Sequence, residues 1–179
     1  TIIPADYPRP EKQDFRGELI SITLEKSLVT KIKELETKTG STLYMILLSA
    51  YSILLSRYSG QKHIIVGTPV AGRSHADLEN VIGMFINTLA MKSFVDYKKT
   101  FIEFLSEVSQ NTLEAYENQD YQFDELVEKL TVKRDAGSNT LVNNVLVLQN
   151  FDMEEVSVGD LRISGYESGY RMAQFDTTL

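Results

Sequence analysis

The sequence has 179 residues, a formal net charge of −7 at pH 7, 42% apolar residues and no cysteine. This length fits one domain, or one lobe of a larger domain, with a packed core. The negative charge argues against nucleic acid as a partner, because such binding depends on Lys and Arg that neutralise phosphates. The lack of cysteine excludes disulfides, thiolate nucleophiles and thiolate metal sites. We expect a cytoplasmic protein that neither spans a membrane nor binds nucleic acid, although an acidic protein could dock on a local basic patch.

The N-terminal part of the chain predicts an arm followed by a folded lobe. Residues 1–16 contain three of the four prolines, which favours an extended linker or arm. The lobe then spans residues 17–179. At its start, apolar and polar residues alternate over Leu19–Leu24, and this alternation predicts a β-strand.

Two helices are predicted next, and they differ in character. The first is amphipathic and ends near Gly40, with an apolar face formed by Leu28, Ile32 and Leu35. The second covers Thr42–Tyr58, is apolar around almost its whole circumference and ends at Gly60. Its only other stripe consists of small polar residues, namely Ser49, Ser52 and Ser56. A helix that is apolar on all sides is a buried helix.

The middle of the chain predicts two strands separated by a loop. His63–Val66 is a short β-branched run, typical of a strand covered on both faces. Gly67–Arg73 contains two glycines and a proline, which favours a turn-rich loop. A short helix is expected over Ala76–Val81, and a second strand from about Met84 to Met91.

Two further helices and three strands complete the predicted fold. A capping box at Thr100–Glu103 starts a helix that runs to about Glu117, and its apolar face consists of Phe101, Phe104, Leu105, Val108 and Leu113. A shorter helix covers Phe123–Leu130. The tail favours strands at Leu141–Leu148, Leu161–Gly165 and Met172–Leu179. The last strand has no turn or cap after it, so we expect that the chain stops inside a larger domain. The element order predicts an α/β two-layer sandwich.

The residues by themselves indicate no self-contained active site. Ser74, His75 and Asp77 are near neighbours on one loop, whereas the members of a catalytic triad come from separate elements. A solvated histidine is therefore the preferred interpretation of His75. Two scattered histidines, His63 and His75, do not make a usual zinc ligand set. No phosphate-binding loop is present either, because Gly67–Gly72 lacks the Lys-Ser/Thr ending.

Several segments together resemble the condensation domains of nonribosomal peptide synthetases. They occur in the family's order and cover nearly the whole chain: Thr42–Gln61, Ile65–Arg73, Ile82–Leu89, Asn118–Asp124 and Arg134–Leu141. The sequence departs from the family pattern at Gln122 and Thr140, where proline is usual, and at Gly137. The family's catalytic motif, two histidines followed by Asp-Gly, belongs to the N-terminal half and does not occur here. The resemblance therefore covers the C-terminal half only.

This resemblance implies a chloramphenicol-acetyltransferase-like lobe with a mixed sheet packed against helices. Two such lobes form a V around a channel, where an acceptor amine attacks a donor thioester to give an amide. The implied partners are the N-terminal lobe, peptidyl carrier proteins and a neighbouring adenylation domain. No cofactor binds directly, since the substrates are carried on phosphopantetheine. Phe85–Thr88 resembles the peptide-bond-forming branch. The alternatives are a non-catalytic platform that binds carrier proteins and a stand-alone acyltransferase that uses a partner's histidine.

Five residues are candidates for substrate-channel or supporting roles. By resemblance, Arg73 would pair with the aspartate of the absent histidine motif; within this chain alone we expect it to be solvated. Asn87 lies among apolar residues of a strand, so its amide either satisfies neighbouring backbone groups or lines the channel. Gly83 allows a close backbone approach. Tyr121 fits a hydrophobic staple better than a substrate contact. Asn139 suits turn chemistry, with a polar contact near the reacting carbonyl as the alternative.

Overall fold

The computed structural model describes residues 1–8, 14–130, 141–149, 156–158, 161–163 and 172–179. The helices are α1 (Lys26–Thr39), α2 (Leu43–Ser59), α3 (Phe101–Glu117) and α4 (Phe123–Lys129). The strands are β1 (His63–Val70), β2 (Asn87–Phe94), β3 (Asn144–Val145), β4 (Val156–Val158), β5 (Leu161–Ile163) and β6 (Thr177–Thr178).

A mixed four-stranded sheet in the order β2-β1-β3-β6 forms one layer, and β4 and β5 form a separate antiparallel pair. β1 pairs antiparallel with β2 and parallel with β3, and β3 pairs parallel with β6. α2 and α3 pack on the sheet and on each other. The predicted α/β class with a mixed sheet packed against helices is confirmed.

The α2 prediction is confirmed in detail. Thr42 caps its N-terminus, and Gly60 ends it in the left-handed region at φ 69°. The three serines of its polar stripe are fully buried. Ser49 donates a hydrogen bond to the Met45 carbonyl (2.8 Å) and Ser56 donates one to the Gln61 carbonyl (2.6 Å). Their small side chains allow α2 to pack closely within the core.

α1 also ends where the sequence indicates, with Gly40 at φ 70°. It lies at the edge of the core rather than inside it, because Ile32 and Leu35 are partly buried and Leu28 is exposed. Among the described residues, no single helix is long and apolar enough to cross a membrane. Taken together, α1 and α2 reach that length and composition, but the pair is bent by 106°.

β1 is longer than predicted, and the expected loop over Gly67–Arg73 is wrong in its first half. Gly67–Val70 pairs with β2, and a Cβ at Gly67 would overlap Val142 Cγ1, so glycine is required by close packing within the sheet. Pro69 is tolerated because its pair with Thr88 is one of the non-hydrogen-bonded pairs of the ladder. β2 begins at Asn87 rather than Met84.

The expected strand over Leu19–Leu24 is wrong. The segment has no regular secondary structure, and its apolar side chains are exposed, including Ile20 at 84% and Ile22 at 81%. The residues just before it contact the C-terminal part of the chain, where the Phe15 carbonyl accepts a hydrogen bond from Ala173 N–H (2.8 Å) and Arg16 forms an isolated bridge with Met172. Among the described residues no strand pairs with it, and strand geometry is not maintained without a neighbour that satisfies the backbone.

The α3 boundaries are confirmed, but one predicted core position is wrong. The capping box at Thr100 is present, with the Thr100 N–H bonded to Glu103 Oε2 at 2.8 Å. Leu113 is exposed, whereas Thr112 is almost fully buried and donates a hydrogen bond to the Val108 carbonyl (2.7 Å). The i, i+4 spacing carries the buried face from Val108 to position 112. α4 ends one residue before the predicted limit.

The helix expected over Ala76–Val81 is a single 3₁₀ turn at Ala76–Leu78, because the segment lacks the apolar face that would hold a longer helix in place. The strand predicted over Leu141–Leu148 contracts to the two residues of β3. That over Met172–Leu179 contracts to β6, since so little of either segment meets a partner strand. β5 lies within the predicted Leu161–Gly165, whose last two residues are outside the described ranges.

The start of the predicted arm is docked on the sheet. Ile65 N–H donates a hydrogen bond to Thr1 Oγ1 (2.8 Å), and the buried Asn144 side chain donates one to the Thr1 carbonyl (2.9 Å). Ile3 packs against the core. The extended conformation of these residues therefore has partners, and the remainder of the arm prediction at residues 9–13 lies outside the described residues.

Candidate functional site

The connection from β1 to β2 is organised by Gly72. This residue has a φ of 63°, a conformation that favours glycine. A Cβ at this position would overlap the Phe85 carbonyl oxygen and lie 2.9 Å from the Phe85 carbonyl carbon. The backbone on either side of the loop therefore meets here, and only glycine permits that approach.

Arg73 lies at the centre of this loop. Its guanidinium carbon is 4.4 Å from the centroid of the Phe85 ring, a cation–π distance. Its Nη1 donates a hydrogen bond to the Leu78 carbonyl, and Nη2 lies 3.5 Å from the Gly83 carbonyl. Arg73 is half-buried. The expectation that it is solvated within this chain is therefore wrong, because the loop folds back over the guanidinium.

Gly83 makes the close approach that its sequence suggested, although the neighbour is a ring rather than a backbone. A Cβ at Gly83 would lie 3.0 Å from Phe85 Cε2. Around it the loop presents apolar side chains to solvent, with Ile82 fully exposed. The other exposed apolar side chains of this segment are Val81, Met84 and Ile86. Phe85 and Arg73 thus form the inner side of a loop whose outer side is apolar.

Asn87 is buried, and its side-chain amide makes four hydrogen bonds, two as donor and two as acceptor. Its Nδ2 donates hydrogen bonds to the carbonyls of Gln119 and Tyr121, both at 2.8 Å. Its Oδ1 accepts from Thr88 N–H (2.9 Å) and Phe123 N–H (3.1 Å). The side chain thus ties the α3–α4 connection to the first residue of β2. These contacts correspond to the first predicted role of Asn87, an amide that satisfies neighbouring backbone groups.

Tyr121 lies on that same connection, with its carbonyl on Asn87 and its ring partly exposed. Lys129 Nζ lies 4.9 Å from the centroid of the ring. This contact raises the pKa of Lys129, through its interaction with the Tyr121 hydroxyl. Tyr121 therefore links the two ends of α4. Asn139, the fifth candidate, lies outside the described residues.

Neither histidine is placed for catalysis within this chain. His63 is exposed and its ring contacts that of Phe94, with 4.8 Å between the centroids. His75 Nδ1 accepts a hydrogen bond from Asp77 N–H (3.3 Å) and lies 3.4 Å from Asp77 Oδ2. Both side chains of that pair are largely solvated, and His75 serves as the cap of the 3₁₀ turn. Among the described residues, no three His, Asp or Glu side chains form a metal-binding group.

A groove of about 370 Å³ lies between β2 and α3 and contains none of the candidate residues. Its polar lining includes Lys92, Asn111, Glu114 and Asn118, and Leu48 and Val108 form its apolar floor.

Of the candidate residues, the structure brings Arg73 and Gly83 together, and separately Asn87 and Tyr121. Asn87 begins β2 two residues after Phe85, the ring that Arg73 contacts. Sequence reasoning missed Phe85 as the partner of Arg73, and the signal was an aromatic residue close to Gly83.

The mixed sheet with α2 and α3 packed on it is the α/β sandwich of a chloramphenicol-acetyltransferase-like lobe. The model of the condensation domain family matches residues 1–179, and the chain belongs to that family. It is 51% identical over 178 residues to gramicidin S synthase 2 of Brevibacillus brevis and 49% identical over 177 residues to tyrocidine synthase 3 of Brevibacillus parabrevis. Both matches cover 99% of this chain, but only 4% and 3% of those relatives.

Solved structures show the same fold. A holo four-domain nonribosomal peptide synthetase bound to AMP and glycine superposes with a TM-score of 0.81 at 29% identity, over 84% of this chain and 12% of that one. The X-domain from teicoplanin biosynthesis, in its complex with OxyB, superposes with a TM-score of 0.88 at 22% identity. That match covers 99% of this chain and 39% of the other. At 22% identity, the similarity to the X-domain shows a shared fold only.

Proposed function

We propose that this chain forms the C-terminal lobe of a condensation domain that joins carrier-bound acyl and aminoacyl groups through amide bonds. The match of the family model to residues 1–179, with about half of the residues identical to those of gramicidin S synthase 2, carries this proposal. The catalytic histidine pair would come from an N-terminal lobe, since the two histidines here, His63 and His75, are not adjacent in sequence and both are solvent-exposed. The arm at residues 1–16 and the lobe at 17–179 would then be one part of a longer chain.

The exposed surface supports a lobe that another lobe covers. Large apolar side chains are exposed after the arm and on the β1–β2 connection, namely Ile20, Ile22, Ile82 and Met84, as expected for a surface that another lobe covers.

In this proposal Arg73 and Asn87 have supporting roles. Arg73 would reach, through the loop that it organises, the aspartate of the histidine motif in the other lobe. Asn87 would hold the α3–α4 connection in a fixed position beside it. The substrates would arrive on the phosphopantetheine of peptidyl carrier proteins, with an adenylation domain as a neighbour in the same chain. The lobe itself would bind no further cofactor.

The test is amide formation from aminoacyl and peptidyl carrier proteins by the complete condensation domain, with the 179-residue chain as the control. We expect product from the complete domain and none from the shorter chain. His63→Ala and His75→Ala in the complete domain should change turnover only modestly, because both side chains are exposed, with His63 in contact with Phe94 and His75 capping the 3₁₀ turn. A large loss of turnover from either variant, with folding intact, would place a catalytic base in this lobe.

The alternative is a lobe that only binds carrier proteins. It predicts that the complete domain binds carriers but makes no amide, even with its histidine pair present. A stand-alone acyltransferase predicts product when this chain is simply mixed with a histidine-bearing partner. No specific contact in the described residues favours either alternative, and the relatives named above are gramicidin S synthase 2 and tyrocidine synthase 3.

A further inference from the structure

β2 is an outer strand of the four-stranded sheet, and within the described ranges no strand pairs with its free edge. Val95 N–H donates a hydrogen bond to the Lys62 carbonyl (2.8 Å), so these two residues form a hydrogen-bonded pair just beyond the end of β2. In an antiparallel ladder such pairs alternate along the strand. The odd-numbered residues of β2 therefore bond β1, whereas the backbone N–H and C=O groups of Ala90 and Lys92 point away from the sheet.

The groove between β2 and α3 runs along this free edge. Ala90 and Lys92 line it, and Asn111 of α3 reaches towards the outward carbonyl of Lys92, with Nδ2 at 3.5 Å. Its volume of about 370 Å³ is within the range of ligand sites, and its floor is apolar. An exposed sheet edge is where several classes of domain bind an extended peptide as an added strand, through main-chain hydrogen bonds.

β2 has few of the features by which native proteins protect an edge strand. It has eight residues, contains no proline and pairs with β1 in continuous register, without a bulge. Its one charged residue is Lys92, whose side chain lies on the opposite face of the sheet from the buried Met91. A long, regular edge of this kind is normally covered by another part of the structure.

The wall that α3 contributes to the groove is acidic. This helix carries four glutamates and neither lysine nor arginine. Glu114 lines the groove and is exposed, and its Oε1 accepts a hydrogen bond from Gln110 Nε2 (2.8 Å). Among the described residues no cation pairs with Glu114. The groove is therefore complementary to an extended segment that has a basic side chain on the α3 side and an apolar side chain over the floor.

We infer that this groove holds an extended segment of the same polypeptide, from outside residues 1–179, as an additional strand on β2. The segment pairs its backbone with Ala90 and Lys92 and places a lysine or arginine beside Glu114. The same polypeptide is favoured as the source because this chain spans only 4% of gramicidin S synthase 2, and a covalently attached segment has a high effective concentration. This inference rests on the part of the proposed function that makes the lobe one piece of a longer chain.

The test is hydrogen exchange of the complete synthetase, resolved to single amides by fragmentation in the mass spectrometer. The N–H groups of Ala90 and Lys92 should exchange at least about tenfold more slowly than in an unstructured chain, because the added strand bonds them. Met91 and Ser93 bond β1 whether or not the groove is filled, so their protection is the internal reference for an intact sheet. Rapid exchange of Ala90 and Lys92 while Met91 and Ser93 stay protected would overturn the inference.

A charge reversal tests the contact with the α3 wall. Glu114→Lys should speed exchange at Ala90 and Lys92 at least about threefold, because it repels the basic side chain of the occupant. The matched control is Glu34→Lys on the exposed side of α1, which changes the net charge equally and should leave both rates unchanged. Equal rates in the two variants would exclude a basic residue beside Glu114 and contradict the inference.

Photo-crosslinking identifies the occupant. Asn111→p-benzoylphenylalanine in the complete synthetase, mixed with a ¹⁵N-labelled copy, should give a cross-link within one molecule to a segment outside residues 1–179. A cross-link between labelled and unlabelled copies would assign the groove to a second copy and overturn the inference. Amide formation by the unaltered synthetase is measured separately. Protected amides without product would contradict the proposed activity alone, whereas product with rapid exchange at Ala90 and Lys92 would contradict this inference alone.

Discussion

Replacing Asn87 by alanine tests whether one buried amide holds the α3–α4 connection. The side chain makes four hydrogen bonds, two as donor and two as acceptor, and only 5% of the residue is exposed. Alanine leaves two backbone N–H groups and two carbonyls without these partners. At about 1 kcal/mol for each bond, the four bonds together amount to about 4 kcal/mol. Since water can enter next to the partly exposed Tyr121, we expect a loss of about 2–4 kcal/mol in the free energy of unfolding.

The measurement is urea denaturation, with Asn111→Ala as the control. Asn111 is exposed, and its Nδ2 lies 3.5 Å from the Lys92 carbonyl, at the limit of a hydrogen bond. Its replacement should change stability by less than about 0.5 kcal/mol. Hydrogen exchange supplies a local measurement, because the Phe123 N–H should lose protection in Asn87→Ala beyond any global effect. A loss below about 1 kcal/mol for Asn87→Ala, with Phe123 still protected, would refute this account of the amide.

Three further substitutions test single contacts through urea denaturation. Gly72→Ala should cost several kcal/mol, because its positive φ and the overlap with Phe85 both oppose a Cβ; an effect below about 1 kcal/mol would show that the loop relaxes freely. Burial raises the pKa of the Tyr44 phenol, whose hydroxyl bonds Thr68, so its contribution to stability is present below pH 10 and is lost as the pH rises further. Tyr44→Phe should cost about 1 kcal/mol at pH 7 and reduce this alkaline loss, and an unchanged pH profile would exclude Tyr44 as its origin. Ser52→Ala should be neutral or stabilising, because the buried Ser52 Oγ has no hydrogen-bond partner among the described residues; a loss above 1 kcal/mol would indicate a bound water.

The helices were predictable because their signals are local. Thr42 and Thr100 cap their helices through neighbours only three residues away, and Gly60 needs nothing but its own positive φ. The periodic apolar face and the caps point to the same boundaries, so the sequence alone is sufficient there. The face of α3 was nevertheless misassigned at Leu113, because a threonine that bonds its own helix can occupy a core position as readily as a leucine.

The strands and the site depend on distant partners, which a linear pattern does not contain. Apolar and polar residues alternate over Leu19–Leu24 as in a β-strand, yet the segment has no neighbouring strand among the described residues to hold it in that conformation. The sequence suggests a turn at Gly67, but the structure shows that glycine is needed there because a Cβ would overlap Val142, more than seventy positions away. In the same way Arg73 could be identified as a candidate, while its contact with Phe85 depends on how the loop folds back. Resemblance to the family identified the positions; their contacts required coordinates.

The hydrogen bonds between the beginning and the end of the chain have a consequence for the order of folding. The Thr1 carbonyl is held by Asn144, and the Tyr51 hydroxyl of α2 lies 2.5 Å from Thr177 Oγ1 of β6. Parallel pairing of β1 with β3 and of β3 with β6 also joins segments far apart in sequence. Such long-range contacts slow folding, because chain entropy is lost before any contact compensates for it. During synthesis on the ribosome, α1, α2 and the β1–β2 pair can form early, but the far edge of β1 lacks its partner strand until β3 at Asn144–Val145 has emerged, and β3 in turn waits for Thr178.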